Sequence, residues 1–153
     1  HNASVLGDLT LVENYSPDTW ATVMQVNLTA PFLLTQALLP LMKKSADASI
    51  VFTSSSVGRK GRAYWGAYGI SKFGIEGLMQ TLASELENTS SIRANSLNPG
   101  ATRTGMRASA YPAENPETLL APEDILNIYL FLMGEDSKGI TAQALDAQLP
   151  KAT

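Results

Sequence analysis

The sequence predicts an α/β protein, a doubly wound parallel sheet with helices on both faces, formed as a single domain over residues 1–153. Three observations carry this expectation. Helical patterning alternates with short β-prone runs, which is how a parallel sheet covered by helices reads. Gly- and Pro-rich loops follow the predicted strands, where sites of such sheets form. With 44% hydrophobic and 16% charged residues, the 153-residue chain can bury a core without disulfide or metal. No internal repeat or low-complexity segment breaks the pattern.

The elements follow in order. Ser16-Pro17-Asp18 combines an N-cap, a proline at the first helical position and a first-turn acid, so a helix begins near Pro17. Its apolar seam reads Trp20, Val23, Met24, Asn27, Pro31, Leu34, Leu38 and Leu41, and it ends near Lys43 and Lys44. Ser49 to Ser54 is β-branched and aromatic and reads as a buried strand. Gly66 to Glu87 has helical patterning, and Ile92 to Asn98 is the next strand. Pro99-Gly100 ends it and opens an irregular segment through Leu120. Pro122-Glu123-Asp124 starts a helix to about Met133, and Gln143 to Ala147 is a weak final strand.

Composition excludes several classes. A net charge of -3 argues against nucleic-acid binding, which needs clustered Lys and Arg. No cysteine and the single His1 leave no metal site to expect, and the reducing cytoplasm is the expected compartment. The longest strongly apolar stretch, Ala30 to Met42, is interrupted by Pro31, Thr35, Gln36 and Pro40 and is too short to span a membrane.

Chemistry concentrates in the run SSSVGRKGRAYWGAYGISK, residues 54–72. Tyr68 and Lys72 are four apart on a predicted helix, hence on one face. An ammonium beside a phenol favours the phenolate and pulls its pKa towards working pH, which suits proton exchange with a substrate oxygen. Ser55 lies 13 residues before Tyr68 at a strand exit, although turn chemistry alone serves Ser54 and Ser56 equally well. Asn27 is a polar residue on an apolar seam. Four residues later, Pro31 offers its carbonyl no N–H, so that carbonyl either holds a water or marks a kinked core helix with a capped polar group.

These residues, with VNLTAPF before them and LNPGATRTGM after them, resemble the short-chain dehydrogenase/reductase family. Within it, HNASVLGD, VMQVN, LTQALLPL, VFTSSSVGR, TRTGMRASA and LDAQ are especially similar to one bacterial oxidoreductase branch. The resemblance implies a Rossmann-like fold and an NAD(P)-dependent hydride transfer between nicotinamide and a carbonyl/alcohol pair. It implies Tyr68 as general acid/base, Lys72 as its tuner and ribose ligand, Ser55 as holder of the substrate oxygen, and Asn27 as anchor of a proton-relay water. Cofactor contacts are expected at Asn2, Ala3, Tyr68, Lys72, Pro99, Gly100, Thr102 and Thr104, and the substrate pocket at Val57, Arg59, Tyr64, Trp65, Arg103 and Arg107. His1 and Ser4 depart from the family's Asn-Asn-Ala-Gly motif.

The family's Gly-rich phosphate turn is another departure: no GxxxGxG occurs in the 153 residues. The chain is therefore expected to be the C-terminal, catalytic part of the fold, either as a fragment or as part of a longer protein. The cofactor is expected to be NAD or NADP, with NADP favoured. Arg59, Lys60, Arg62, Arg103 and Arg107, five of the 11 basic residues, fall in the two crevice loops, which suggests an anionic ligand or merely solvated loop charge. Gly66, Ala67, Gly69, Gly74 and Gly77 keep the Tyr68 helix small enough for close packing. The family pairs this helix and the Asn27 helix between subunits, so a homodimer or homotetramer is expected. The alternatives are a nucleotide-sensing or partner-binding module without turnover, and an inactive truncated fragment.

Overall fold

The computed structural model describes residues 1–148. Three parallel strands, β1 (Ala48–Thr53), β2 (Ile92–Asn98) and β3 (Ala144–Asp146), form one sheet in chain order. Ala48 to Thr53 face Ile92 to Leu97, and Ser96 to Asn98 face Ala144 to Asp146. Strand alternation divides the core between two faces. Ile50, Phe52, Ile92 and Ala94 pack with Ile75, Met79, Leu82, Ala83 and Leu86 of the long helix α3 (Gly66–Leu86). On the other face Val51 and Leu97 pack with Leu132 of α5 (Leu126–Met133). Helices thus cover both faces, as the alternation of patterns predicts. No helix of the described residues is long and apolar enough to cross a membrane.

The first long helix departs from the sequence reading in an informative way. It runs as α1 (Pro17–Met24), a π-helical turn (Gln25–Thr29) and α2 (Ala30–Met42). Ser16 caps it by accepting from the Thr19 N–H. Pro31 cannot donate to the carbonyl of Asn27, and the Ala30 N–H reaches back five residues to Gln25. This wider turn holds an extra residue and rotates the helix beyond it. Val23, Asn27, Pro31 and Thr35 therefore face inward, whereas Leu34, Leu38 and Leu41, expected in the core seam, are 53%, 46% and 67% exposed.

Between β2 and α5 the chain is more regular than expected. A short helix α4 (Gly105–Ala110) forms where Thr104 caps it by accepting from the Arg107 N–H at 3.1 Å. The final helix begins with a 3-10 turn (Pro122–Ile125), in which Asp124 accepts from the Ala121 N–H. Two of the small residues of α3 serve packing within the chain: a Cβ on Gly66 would meet the Tyr15 ring, and one on Gly74 would meet Leu28, whereas one on Gly77 would meet nothing within 4 Å.

Candidate active site

Beyond β1 the backbone stays extended through Ser55 and then tightens into a 3-10 turn over Ser56–Gly58. That turn rests directly on α3. A Cβ at Gly58 would stand 2.7 Å from Lys72 Cβ and 2.8 Å from the Lys72 carbonyl carbon, so only glycine allows this approach. The seating brings one of the three serines to Tyr68. Ser55 is the one whose side chain favours the ionised phenol; Ser54 is buried with no partner for its hydroxyl, and Ser56 is exposed.

Tyr68, Lys72 and Glu76 recur every four residues on the inward face of α3. Lys72 Nζ donates to the Thr53 carbonyl at 2.8 Å and lies 5.5 Å from the centre of the Tyr68 ring. Burial lowers the Lys72 pKa from 10.5 to about 8, because an ammonium loses solvation there. Burial also raises the Tyr68 phenol above its ordinary value, offset in part by Ser55. The expected depression of the phenol by the nearby amine is opposed by desolvation, the larger effect, whose direction is upward. Tyr68 holds its proton at neutral pH.

Asn27 is buried and its side chain is well satisfied. Its Oδ1 accepts from the Val5 N–H at 2.8 Å, and Nδ2 donates to the Val5 carbonyl at 2.9 Å and to Ser71 Oγ at 3.1 Å. Ser71 in turn donates to the Tyr68 carbonyl at 2.7 Å. Asn27 therefore ties the N-terminal segment to the turn of α3 that carries Tyr68 and Lys72. His1, unlike the residue the family motif has there, stacks on Phe52 with ring centres 5.0 Å apart and bonds Thr35 Oγ1 at 2.9 Å.

One cavity of about 710 Å³ brings the parts together. Ser55, Tyr68 and Lys72 line it, as do Asn2, Ala3, Pro99, Gly100, Thr102 and Thr104. All the residues expected at the cofactor are thus on its wall. Of the substrate-pocket residues, Trp65 and Arg107 line it, but Val57, Arg59, Tyr64 and Arg103 do not. Val57 is buried beneath the turn beside Gly69. Tyr64 is 57% exposed with a left-handed φ of 72° and points elsewhere. Arg59 is held by Glu76 at 3.0 Å and Asp146 at 3.0 Å, and Arg103 is paired with Glu117 at 3.4 Å. Arg107 is paired with Glu114 at 2.6 Å. Three of the five loop cations therefore already have carboxylates, and the loops' basic count does not translate into an anion site.

Sequence reasoning missed two residues of this machinery. Glu76 joins Arg59 to Ser96, whose hydroxyl donates to it at 2.6 Å; its four-residue spacing from Lys72 was the available signal. Gln148, in the ending LDAQ, donates through Nε2 to the carbonyls of Pro99 at 2.9 Å and Ala101 at 3.1 Å, fixing the loop after β2. Its role was not readable, because its contacts lie 47 and 49 residues away in the chain.

The residues present fit a nicotinamide nucleotide at its nicotinamide end. Lys72 uses one of its three N–H groups on Thr53, leaving two for ribose hydroxyls, and the buried Ser54 hydroxyl on the cavity wall has no partner.

A profile of the family described as short chain dehydrogenase matches residues 1–115. The uncharacterised oxidoreductase YciK of Escherichia coli (strain K12) is 56% identical over 97% of this chain and 58% of its own length. A short-chain dehydrogenase structure from Shigella flexneri, complexed with NADP, is 55% identical with a TM-score of 0.93 over 97% of this chain and 62% of that one. One from Escherichia coli CFT073, complexed with NADPH, is 56% identical with a TM-score of 0.93 over 97% and 61%. The chain spans about three fifths of the length of these relatives.

Proposed function

This chain belongs to the short-chain dehydrogenase family, and from that premise we propose that it carries the catalytic residues of an NADP(H)-dependent oxidoreductase acting on a carbonyl/alcohol pair. The observation that carries the reading is the convergence of Ser55, Tyr68, Lys72 and the loop Pro99 to Thr104 on one cavity. NADP(H) is preferred over NAD(H) because two similar structures hold it. When bound, NADPH supplies the hydride that reduces the carbonyl carbon and leaves as NADP⁺.

The chain's own residues manage the oxygen and its proton. Ser55 holds the carbonyl oxygen beside Tyr68. The phenol, kept protonated by burial, delivers its proton as the oxygen becomes an alkoxide. Lys72 binds ribose with its two remaining N–H groups and carries charge below pH about 8, where it stabilises the phenolate left behind. Asn27 fixes the helical turn beneath both, and its carbonyl, lacking a donor from Pro31, anchors a water through which Lys72 exchanges protons with solvent. With protein and NADPH present, adding a ketone is expected to consume absorbance at 340 nm, with a slower rate for 4-deuterated NADPH. Absence of both dinucleotide binding and ketone-dependent oxidation would sink the reading.

The same reading includes self-association. Phe32, Leu33, Leu34, Leu38 and Leu41 on α2, with Ile70 and Phe73 on α3, are exposed large hydrophobic residues on the two helices expected to pair between subunits. A homodimer or homotetramer is expected in sedimentation at micromolar concentration, and Leu38→Glu should shift it towards monomer. A wild-type monomer under those conditions would end this part of the proposal.

A further inference from the structure

The cavity has a chemical polarity that the sequence does not display. Lys72 lines it beside Tyr68, and Trp65, Met106, Ala110, Tyr111 and Ile125 give it apolar and aromatic wall. The rings are arranged in series. Trp65 lies 5.7 Å from Tyr68 and 6.0 Å from Tyr111, centre to centre, so an aromatic strip leads away from the proton donor. Arg107 closes the strip, and among the described lining residues it and Lys72 are the only charged ones.

Arg107 is already committed. Its Nε donates to Glu114 Oε2 at 2.6 Å and its Nη2 to Oε1 at 2.7 Å, a bidentate pair. Its guanidinium carbon lies 3.8 Å from the centre of the Tyr111 ring, and the Tyr111 hydroxyl accepts from Arg62 Nη1 at 2.8 Å. Both partners of the Arg107–Glu114 pair are half-buried, with side chains 26% and 28% exposed. An anionic substrate group would have to displace Glu114 or remain beside apolar and aromatic surface without a counter-charge, and either costs binding. No carboxylate among the described lining residues offers a cation compensation either.

Resting on the hydride-transfer reading above, we propose that Glu114 is a specificity-determining residue which closes Arg107 to anions, and that the substrate is an uncharged, apolar ketone or the corresponding secondary alcohol. Its carbonyl sits at Ser55 and Tyr68, and its apolar body lies along Trp65 and Tyr111. The basic loops that suggest an anionic ligand in the sequence are, at the cavity, internally neutralised.

The test uses the NADPH-saturated protein and pairs of ketones matched in size, one member neutral and the other bearing a carboxylate far from the carbonyl. The neutral member should have at least about tenfold higher kcat/KM, and each added ring carbon should raise it by about threefold. Equal or better turnover of carboxylates would overturn the proposal while leaving hydride transfer intact. Quenching of Trp65 fluorescence reads binding separately. Saturable binding of neutral ketones without turnover would sink the hydride-transfer reading but support the apolar class; tighter binding of the carboxylates would overturn the class. Glu114→Gln should raise the carboxylate-to-neutral efficiency ratio by about fivefold or more, and an unchanged ratio would remove Glu114 as the determinant. Should that variant fail to fold, the wild-type ketone series still decides the substrate class.

Discussion

Tyr68→Phe is expected to lower turnover by about 10²- to 10⁴-fold while weakening NADPH binding by no more than about tenfold, the loss of one hydrogen bond. The substitution removes one oxygen and leaves the ring that contacts Trp65 at 5.7 Å and closes the buried face of α3. What is lost is the proton. Burial raises the phenol above its ordinary value, so it holds its proton at neutral pH, and Ser55 offsets the desolvation only in part. Of the other phenols, Tyr64 is not on the cavity wall, the Tyr111 hydroxyl is engaged by Arg62, and the Tyr129 hydroxyl meets Thr53 Oγ1 at 3.4 Å. Stopped-flow single turnover separates the chemical step from binding, and a variant with more than a tenth of wild-type single-turnover rate would contradict this role.

Lys72→Met is expected to act on both activity and stability. Turnover at pH 7 should fall by roughly 10²-fold or more, with weaker NADPH binding, because methionine fills the space but donates to neither ribose nor the Thr53 carbonyl. The stability effect depends on pH. The folded-state pKa, about 8, lies below the unfolded value of 10.5, so between these pH values the unfolded chain binds more protons and unfolding free energy rises with pH. The Lys72 charge therefore opposes folding fully below pH 8 by about 3 kcal/mol, and this penalty is relieved as pH approaches 10.5. Denaturant unfolding at pH 7.5 and 10 measures it: the stability difference between wild type and Lys72→Met should move in favour of wild type as pH rises. A pH-independent difference would show that the amine is not desolvated as the structure has it.

Much of the fold was legible because its signals are local. Ser16-Pro17-Asp18 carries the start of its helix within three residues, Pro99-Gly100 ends a strand, and Ile92 to Asn98 is a strand with the bounds read from sequence. The π turn was only half legible. Pro31 signalled a missing hydrogen bond at Asn27, but not that the chain would answer by inserting a residue and turning Leu34, Leu38 and Leu41 outward. The short helix α4 lies in the segment read from sequence as irregular, with Thr104 as its cap.

The residue types and spacings by themselves determined the parallel α/β class and the candidate set of Ser55, Tyr68 and Lys72, because helix periodicity, strand length and a four-residue interval are properties of nearby positions. The tertiary structure adds how the serines differ, since Gly58 seats the turn on α3 and, of the three, Ser55 is the one that acts on the Tyr68 phenol. It likewise set the electrostatics. Burial, which no local spacing encodes, raised the Tyr68 phenol and lowered the Lys72 amine. Contacts between distant segments paired Arg59 with Asp146 across 87 residues and turned it away from the cavity. A charge counted along the chain is only a candidate for binding; whether it faces a ligand or a carboxylate of its own fold depends on which segments packing brings together.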